Sequence, residues 1–354
     1  MDILESLYEN KITFPTLYER KMSITHKKTF VYGPKLSGKT SIIWNYLKNL
    51  EEDYLYIDLD DFRYEKEELY NIESFLEKKK IKVCVIENYT LGFPIPKVEE
   101  LILSSLHFIS LDNFTLLKVM PLDFEEYLLF DTKHQSTINS FNSFLKYGNI
   151  PEIIDYKDYK KSGRNKELIQ LYDTNSNVIE ILKLCIKSSG ELKSPFWLFN
   201  ILKKKIKISK DFFYKTIKSL ENNNTIILCP KYNQSKAVKK VFSFNFALID
   251  IVSSKKNFAN LFANMIFLEL FNQNRSIFYL DYIDFYTPHN NTIIISLPFY
   301  NSNAISKIFP KLLRHIDEYK INRITIVTIS NFDTIFIDTI EAQIVPFYEW
   351  AIGK

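Results

Sequence analysis

Over the first 120 residues, short apolar runs alternate with amphipathic stretches. Residues 1–27 are polar with one amphipathic stretch, and Lys28-Thr29-Phe30-Val31-Tyr32 then reads as a buried strand. A glycine-containing loop follows, and after it a helical pattern from about Lys39 to Leu50. Tyr54 to Leu59 alternates as a second strand, and a charged helix is predicted over 65–79. Val83-Cys84-Val85-Ile86 is continuously apolar, as expected of a strand covered on both faces. His107-Phe108-Ile109-Ser110-Leu111 reads as a fourth strand. Strands alternating with helices predict a parallel α/β sheet. After about residue 130 the pattern changes. Residues 137–190 read as mostly helical, and 178–230 hold three helical patterns and a short strand pair. From about 241 the chain mixes strands (Ile293–Leu297, Arg323–Ile329) with a helix over Asn301 to Tyr319. There is no internal repeat and no long Gly/Ser linker.

A length of 354 residues suggests two or three domains, and 46% hydrophobic residues suffice for sizeable cores. No stretch approaches the ~18–20 apolar residues of a membrane span, and the start Met1-Asp2-Ile3-Leu4-Glu5 lacks the pattern of a secretory signal. Cys84, Cys185 and Cys229 are far apart in apolar contexts, unlike disulfide or zinc spacings. Reduced buried thiols, a cytoplasmic location and no membrane association are therefore expected. The five histidines are scattered and suggest no metal site. Lys, Asn, Ile, Phe and Tyr share A/T-rich codons, so their abundance alone argues little. A net charge of +4 does not by itself imply a polyanionic partner.

Gly33-Pro34-Lys35-Leu36-Ser37-Gly38-Lys39-Thr40 fits G-x-x-x-x-G-K-[ST], between a predicted strand and a predicted helix as the motif requires. Glycines let the backbone curl so that successive N–H groups face phosphate oxygens. The N-terminus of the following helix, which includes Ser41, adds its positive dipole end. Lys39 supplies a cation for the β- and γ-phosphates, and Thr40 a hydroxyl for Mg²⁺. ATP with Mg²⁺ is the expected ligand.

Such a site also needs a carboxylate at a neighbouring strand end for the metal, and usually a second acid for the attacking water. The strand at 83–86 ends in Glu87-Asn88, where an Asp-Glu pair would be usual. Glu87 can serve the metal, although it is one methylene longer than Asp. Asn88 cannot act as a base but can position a water. Asp58, Asp60 and Asp61 close the second strand, where one could approach the metal or all could form a solvated turn. Ser110, Asp112 and Asn113 are expected to end the fourth strand, which makes Asn113 a candidate γ-phosphate sensor. No arginine occurs between Arg63 and Arg164, so an arginine finger has no obvious source in this region.

The order of motifs resembles a large bacterial and archaeal family of AAA-type ATPases. In that family the ATPase domain is followed by a winged helix and a restriction-endonuclease-like domain. The resemblance rests on the phosphate loop, Tyr56-Ile57-Asp58-Leu59-Asp60-Asp61, and Met120-Pro121-Leu122-Asp123-Phe124-Glu125-Glu126-Tyr127-Leu128. It extends to Tyr147-Gly148-Asn149-Ile150-Pro151-Glu152, Asn264–Leu270 and Ile344–Trp350. It implies an ATPase domain over 1–135, a helical lid or linker over 136–175, a winged helix over 176–240 and a nuclease-like domain over 241–354. Glu269 and Asp284 match the first two acids of the nuclease pattern E…D…(D/E)-x-K. Ile293-Ile294-Ile295-Ser296-Leu297 supplies neither the third acid nor the lysine. An inactive nuclease-like domain is therefore expected, because one missing carboxylate removes much of the charge that holds a metal.

Residues 183–240 hold 14 lysines, no arginine and three acids, a local charge of +11 that leaves −7 for the remainder. Codon bias acts everywhere and does not explain this asymmetry. Phosphate contact with duplex DNA through Lys203, Lys204, Lys205, Lys210, Lys215 and Lys218 is one reading. A solvated face, or a module docking on its own chain, is another. The expected function is an ATP-dependent switch with slow hydrolysis, coupled to DNA or a protein partner. The alternative is a non-hydrolysing, ATP-gated binding or scaffold protein.

Overall fold

The computed structural model describes residues 3–353, apart from the side chains at 302–304 and 307. The chain forms two compact units, Met1–Met120 and Pro121–Lys354. The first contains α1 (Ile3–Glu9), β1 (Lys28–Tyr32), α2 (Lys39–Lys48), β2 (Tyr54–Asp58), α3 (Ile72–Lys79), β3 (Val83–Glu87), β4 (Glu100–Ser105) and β5 (Thr115–Lys118). The strands form one sheet in the order β2-β3-β4-β1-β5, and all of its pairings are parallel.

Strand side chains alternate between faces, and here both faces are covered. Phe30, Leu55, Ile57, Cys84, Ile86, Leu101 and Leu103 pack with Leu4 of α1 and Ile72, Phe75 and Leu76 of α3. Val31, Val83, Val85 and Ile102 pack on the opposite face with Ile42, Ile43 and Leu47 of α2. This double burial accounts for the uninterrupted apolar run of β3, whose five residues are all buried.

Two local expectations need correction. The charged stretch 65–79 is a short 3₁₀ turn (Lys66–Leu69) followed by α3, because Glu65 and Glu68 cap the turn reciprocally and the helix restarts after Asn71. The fourth strand is Glu100–Ser105, not 107–111. Leu101, Ile102 and Leu103 are at most 1% exposed and supply both faces of a central strand, whereas Phe108 is 45% exposed. Asn113 therefore does not end a strand. It lies in the exposed β4–β5 loop with a left-handed φ of 64°.

The second unit begins with α4 (Phe124–Phe130), α5 (Thr137–Tyr147), α6 (Pro151–Asp155) and α7 (Asp158–Gln170). Next come α8 (Ser176–Lys187), α9 (Pro195–Leu202) and α10 (Lys210–Asn222), then the antiparallel pair β6 (Ile226–Cys229) and β7 (Lys240–Ser243). Ser194 and Ser209 cap α9 and α10 by accepting from the N–H groups of Trp197 and Phe212. After α11 (Leu248–Val252) and α12 (Phe258–Asn272) come β8 (Phe278–Leu280), β9 (Ile283–Thr287), β10 (Thr292–Ser296), α13 (Ser302–Tyr319), β11 (Arg323–Thr328), β12 (Asp333–Ile337), β13 (Ile340–Pro346) and α14 (Phe347–Ile352). These six strands form a mixed sheet, β12-β13-β11-β10-β9-β8, with β10, β11 and β13 parallel. The overall class is α/β, with a parallel sheet in one unit and a mixed sheet in the other.

Cys84, Cys185 and Cys229 are all buried and unbonded. Among the described residues, no helix is long and apolar enough to cross a membrane.

Candidate nucleotide site

The loop Gly33–Thr40 leaves the C-terminal end of β1 and runs into α2. Gly33 is fixed by a close approach: a Cβ there would lie 2.0 Å from the carbonyl oxygen of Val119. Gly38, in the residue position before α2, takes φ 91°, which side chains resist. Between them Leu36 is also left-handed, at φ 65°. Such left-handed residues give the curled path from which anion-binding concavities are built.

Lys39 bends back over the loop and donates to the carbonyl oxygens of Gly33 (3.0 Å) and Pro34 (2.9 Å). Those carbonyls occupy the donors that a phosphate would otherwise engage. The surrounding protein lowers the lysine's pKa to about 8, with Glu87 opposing that shift and Lys35 adding to it. Ser37 is fully buried, and its main-chain oxygen accepts from Arg20 at 2.9 Å. Pro34 is buried, while Lys35, Leu36 and Ser41 are partly exposed around the loop and the first turn of α2.

Glu87 is 4% exposed and lies at the centre of a polar network. Its Oε1 accepts from Thr40 Oγ1 (2.9 Å) and Ser104 Oγ (3.2 Å), and its Oε2 accepts from the Tyr56 phenol. Burial raises its pKa, while the hydrogen bonds from Tyr56 and Thr40 pull it down. Burial also pushes the Tyr56 phenol up, reinforced by the charge of Glu87, so Tyr56 remains a donor. The meeting of the Thr40 hydroxyl with a carboxylate oxygen fits a hard divalent cation. Among the described residues, no group of three or more His, Cys, Asp or Glu forms a cation cage. Mg²⁺ at this point would complete its shell with water and phosphate oxygens, which is its usual habit.

Asn88 turns away from the strand with φ 54° and donates to Asp58 Oδ1 at 2.7 Å. The same oxygen accepts the N–H of Asp60 at 3.0 Å. Asp61 is engaged by the Arg63 guanidinium, at 2.9 Å from Nε to Oδ2. The motif thus brings together Lys39, Thr40 and Glu87, and the β3 terminus adds Asn88 beside Asp58.

Three participants escaped the sequence reading. Tyr56 lies two residues before Asp58 on the same strand face, so alternation could have exposed it. Ser104 was hidden by the misplaced fourth strand. Arg20, 17 residues before Ser37, carries no local signal.

The two acids of the nuclease pattern engage their own chain. Glu269 is buried and accepts from the Phe124 N–H at 3.1 Å, at the start of α4. Asp284 lies 3.3 Å from the Lys240 ammonium and accepts from the Ser296 N–H at 2.9 Å.

No protein-family model and no curated protein matches the chain. Among solved structures, it is similar to a Walker-type ATPase of Pyrococcus abyssi, at 12% identity and a TM-score of 0.42, over 64% of this chain and 91% of that one.

Proposed function

We propose that the chain binds ATP in the loop 33–40 and hydrolyses it slowly to ADP and phosphate, acting as a molecular switch. The observation that carries this reading is the 2.9 Å hydrogen bond from Thr40 to Glu87 beside the Lys39 ammonium. It joins the hydroxyl and the carboxylate that phosphoryl transfer uses, and the charge of Glu87 favours the Lys39 ammonium. Bound Mg²⁺, held by Thr40 and Glu87, would neutralise charge building on the phosphate oxygens. Lys39 exchanges its two loop carbonyls for phosphate oxygens, a charge-assisted substitution. Main-chain N–H groups of Ser37 to Ser41 and the α2 N-terminus bind the remaining phosphate oxygens. Tyr56 and Ser104 hold the Glu87 carboxylate in place. Asn113, in its exposed loop, contributes as a phosphate sensor only if that loop closes on the nucleotide.

The proposed organisation is an ATPase domain over 1–135, a helical lid over 136–175, a winged helix over 176–240 and a degenerate nuclease-like domain over 241–354. The succession α8, α9, α10 and β6–β7 supports a winged helix, in which α10 would enter a major groove. Lys203, Lys204, Lys205, Lys210, Lys215 and Lys218 are all exposed. Their charge favours duplex DNA as the coupled partner. The engagements of Glu269 and Asp284 favour a nuclease-like domain that binds without cutting.

A second reading is an ATP-gated DNA-binding or scaffold protein with no turnover, with another protein as partner. Asn88, where a base would be usual, favours it. Steady-state phosphate release from ATP, with and without duplex DNA, tests both, with Lys39→Ala as the control. Turnover that rises with DNA and vanishes in the variant supports the switch. Tight ATP binding without turnover supports the gated module.

A further inference from the structure

Hydrolysis usually uses an acceptor for the attacking water besides the carboxylate at the metal. In Glu87 both oxygens are already committed, Oε1 to Thr40 and Ser104 and Oε2 to Tyr56. Asn88 has no group that can take a proton at neutral pH. The missing carboxylate must come from elsewhere on the loop side of the sheet. Tyr56, Val85 and Ile102 share the face that packs against α2. Asp58 lies two residues beyond Tyr56 and pairs in register with Glu87 across β2 and β3. Alternation therefore places Asp58, Glu87 and Tyr56 on the α2 face, with the two carboxylates on neighbouring strands at one level.

The other acids near these strand ends do not meet the requirement. Asp61 is tied to Arg63, and Asp60 and Asp112 are exposed in loops. Asp58 is partly buried, and its Oδ1 is anchored by the Asn88 amide at 2.7 Å and the Asp60 N–H at 3.0 Å. Among the described contacts, its Oδ2 has none. Its main chain is fixed as well: the Tyr64 hydroxyl donates to the Asp58 carbonyl at 2.6 Å and accepts from its N–H at 3.2 Å. The Asn88 backbone is left-handed, at φ 54°.

We infer that Asp58 is the catalytic carboxylate for the water in this site, and that Asn88 is its positioning residue. The water oxygen forms a bond to the γ-phosphorus while its proton passes to Oδ2 of Asp58. The bond from the γ-phosphorus to the β–γ bridging oxygen breaks, and its electron pair leaves with ADP. The sheet thus carries the two acids on separate strands, Glu87 for the cation and Asp58 for the water. The inference rests on the ATP-hydrolysing reading above.

The test uses the full chain and the variants Asp58→Asn and Asn88→Ala. Three quantities are measured: equilibrium affinity for Mg·ATP, phosphate release, and retention of ADP with aluminium fluoride, which mimics the transferring phosphoryl group with its water. In Asp58→Asn, release falls by at least about 100-fold, the scale of general-base loss. ADP–aluminium fluoride is no longer retained, while ATP affinity stays within about threefold, which also shows that the variant is folded. Asn88→Ala lowers release by a smaller factor at unchanged ATP affinity. If Asp58→Asn releases phosphate at the wild-type rate, the inference is overturned and the ATPase reading stands. Wild-type binding without any release overturns the inference but leaves nucleotide binding intact. Failure of the wild type to bind ATP overturns the proposed function itself.

Discussion

Arg20 donates to the main-chain oxygen of Ser37 at 2.9 Å and to that of Met120 at 3.0 Å. One guanidinium therefore braces the crest of the phosphate loop against the residue that ends the first unit. A planar fork with five donors can do this, whereas a lysine cannot reproduce both bonds. Replacing Arg20 with Ala removes at least these charge-assisted bonds to Ser37 and Met120, worth about 1.5–3 kcal/mol each where fully formed. Part of that loss falls on the loop's shape. ATP affinity, measured by calorimetry, is expected to drop by about 10-fold or more, with Arg20→Lys recovering only part of it.

Gly33→Ala tests the loop's other wall. Its Cβ would meet the Val119 carbonyl at 2.0 Å, and neither backbone can yield without disturbing β1 or the chain leaving β5. A destabilisation above about 3 kcal/mol is expected from such a clash. Thermal unfolding should show a clear fall in Tm together with lost ATP binding. A variant with unchanged Tm would mean that the chain can move aside at Val119.

The depressed pKa of Lys39 sets a pH dependence. The free site holds its ammonium only below about 8, because burial favours the neutral amine. Phosphate binds the ammonium form and raises that pKa in the complex. Affinity is therefore full below about pH 8 and declines as pH rises through it, with proton uptake on binding. Calorimetry in buffers of differing ionisation enthalpy should detect that uptake near pH 8.5–9, and its absence in Lys39→Met would assign it to this residue.

Lys210, Lys215 and Lys218 lie exposed on α10. If that helix follows duplex phosphates, the triple Ala variant should lose affinity uniformly across DNA sequences. The slope of log K against log salt should shrink by about 0.9 for each lost contact. A slope equal to that of the wild type would remove α10 from the interface.

The sequence was most legible where chemistry restricts residue choice. The spacing from Gly33 to Thr40, the apolar run 83–86 and the Glu87-Asn88 terminus all reappear around one site. The strand at 293–297, the helix over 301–319 and the strand at 323–329 appear as β10, α13 and β11 within a residue or so. The fourth strand was misread because two neighbouring runs compete, Leu101–Leu103 and His107–Leu111. Only pairing with β1 and β3 decides between them, and pairing is not a local property. The same error misplaced Asn113 and concealed Ser104. Arg20 and the partnership of Asn88 with Asp58 depend on contacts across 17 and 30 residues, which periodicity does not encode.

The three cysteines provide a clock for each unit. Cys84 is sealed in β3 of the first unit, while Cys185 and Cys229 lie in the second, where burial pushes both thiols up to about 12. Burial raises the Cys84 thiol as well. Thiolate is the reactive form, so alkylating reagents reach these sulfurs only when the surrounding structure opens. The rate at which each sulfur is labelled therefore reports the opening of its own unit. Following that rate with and without nucleotide would show which half of the molecule the ligand steadies, with no probe introduced.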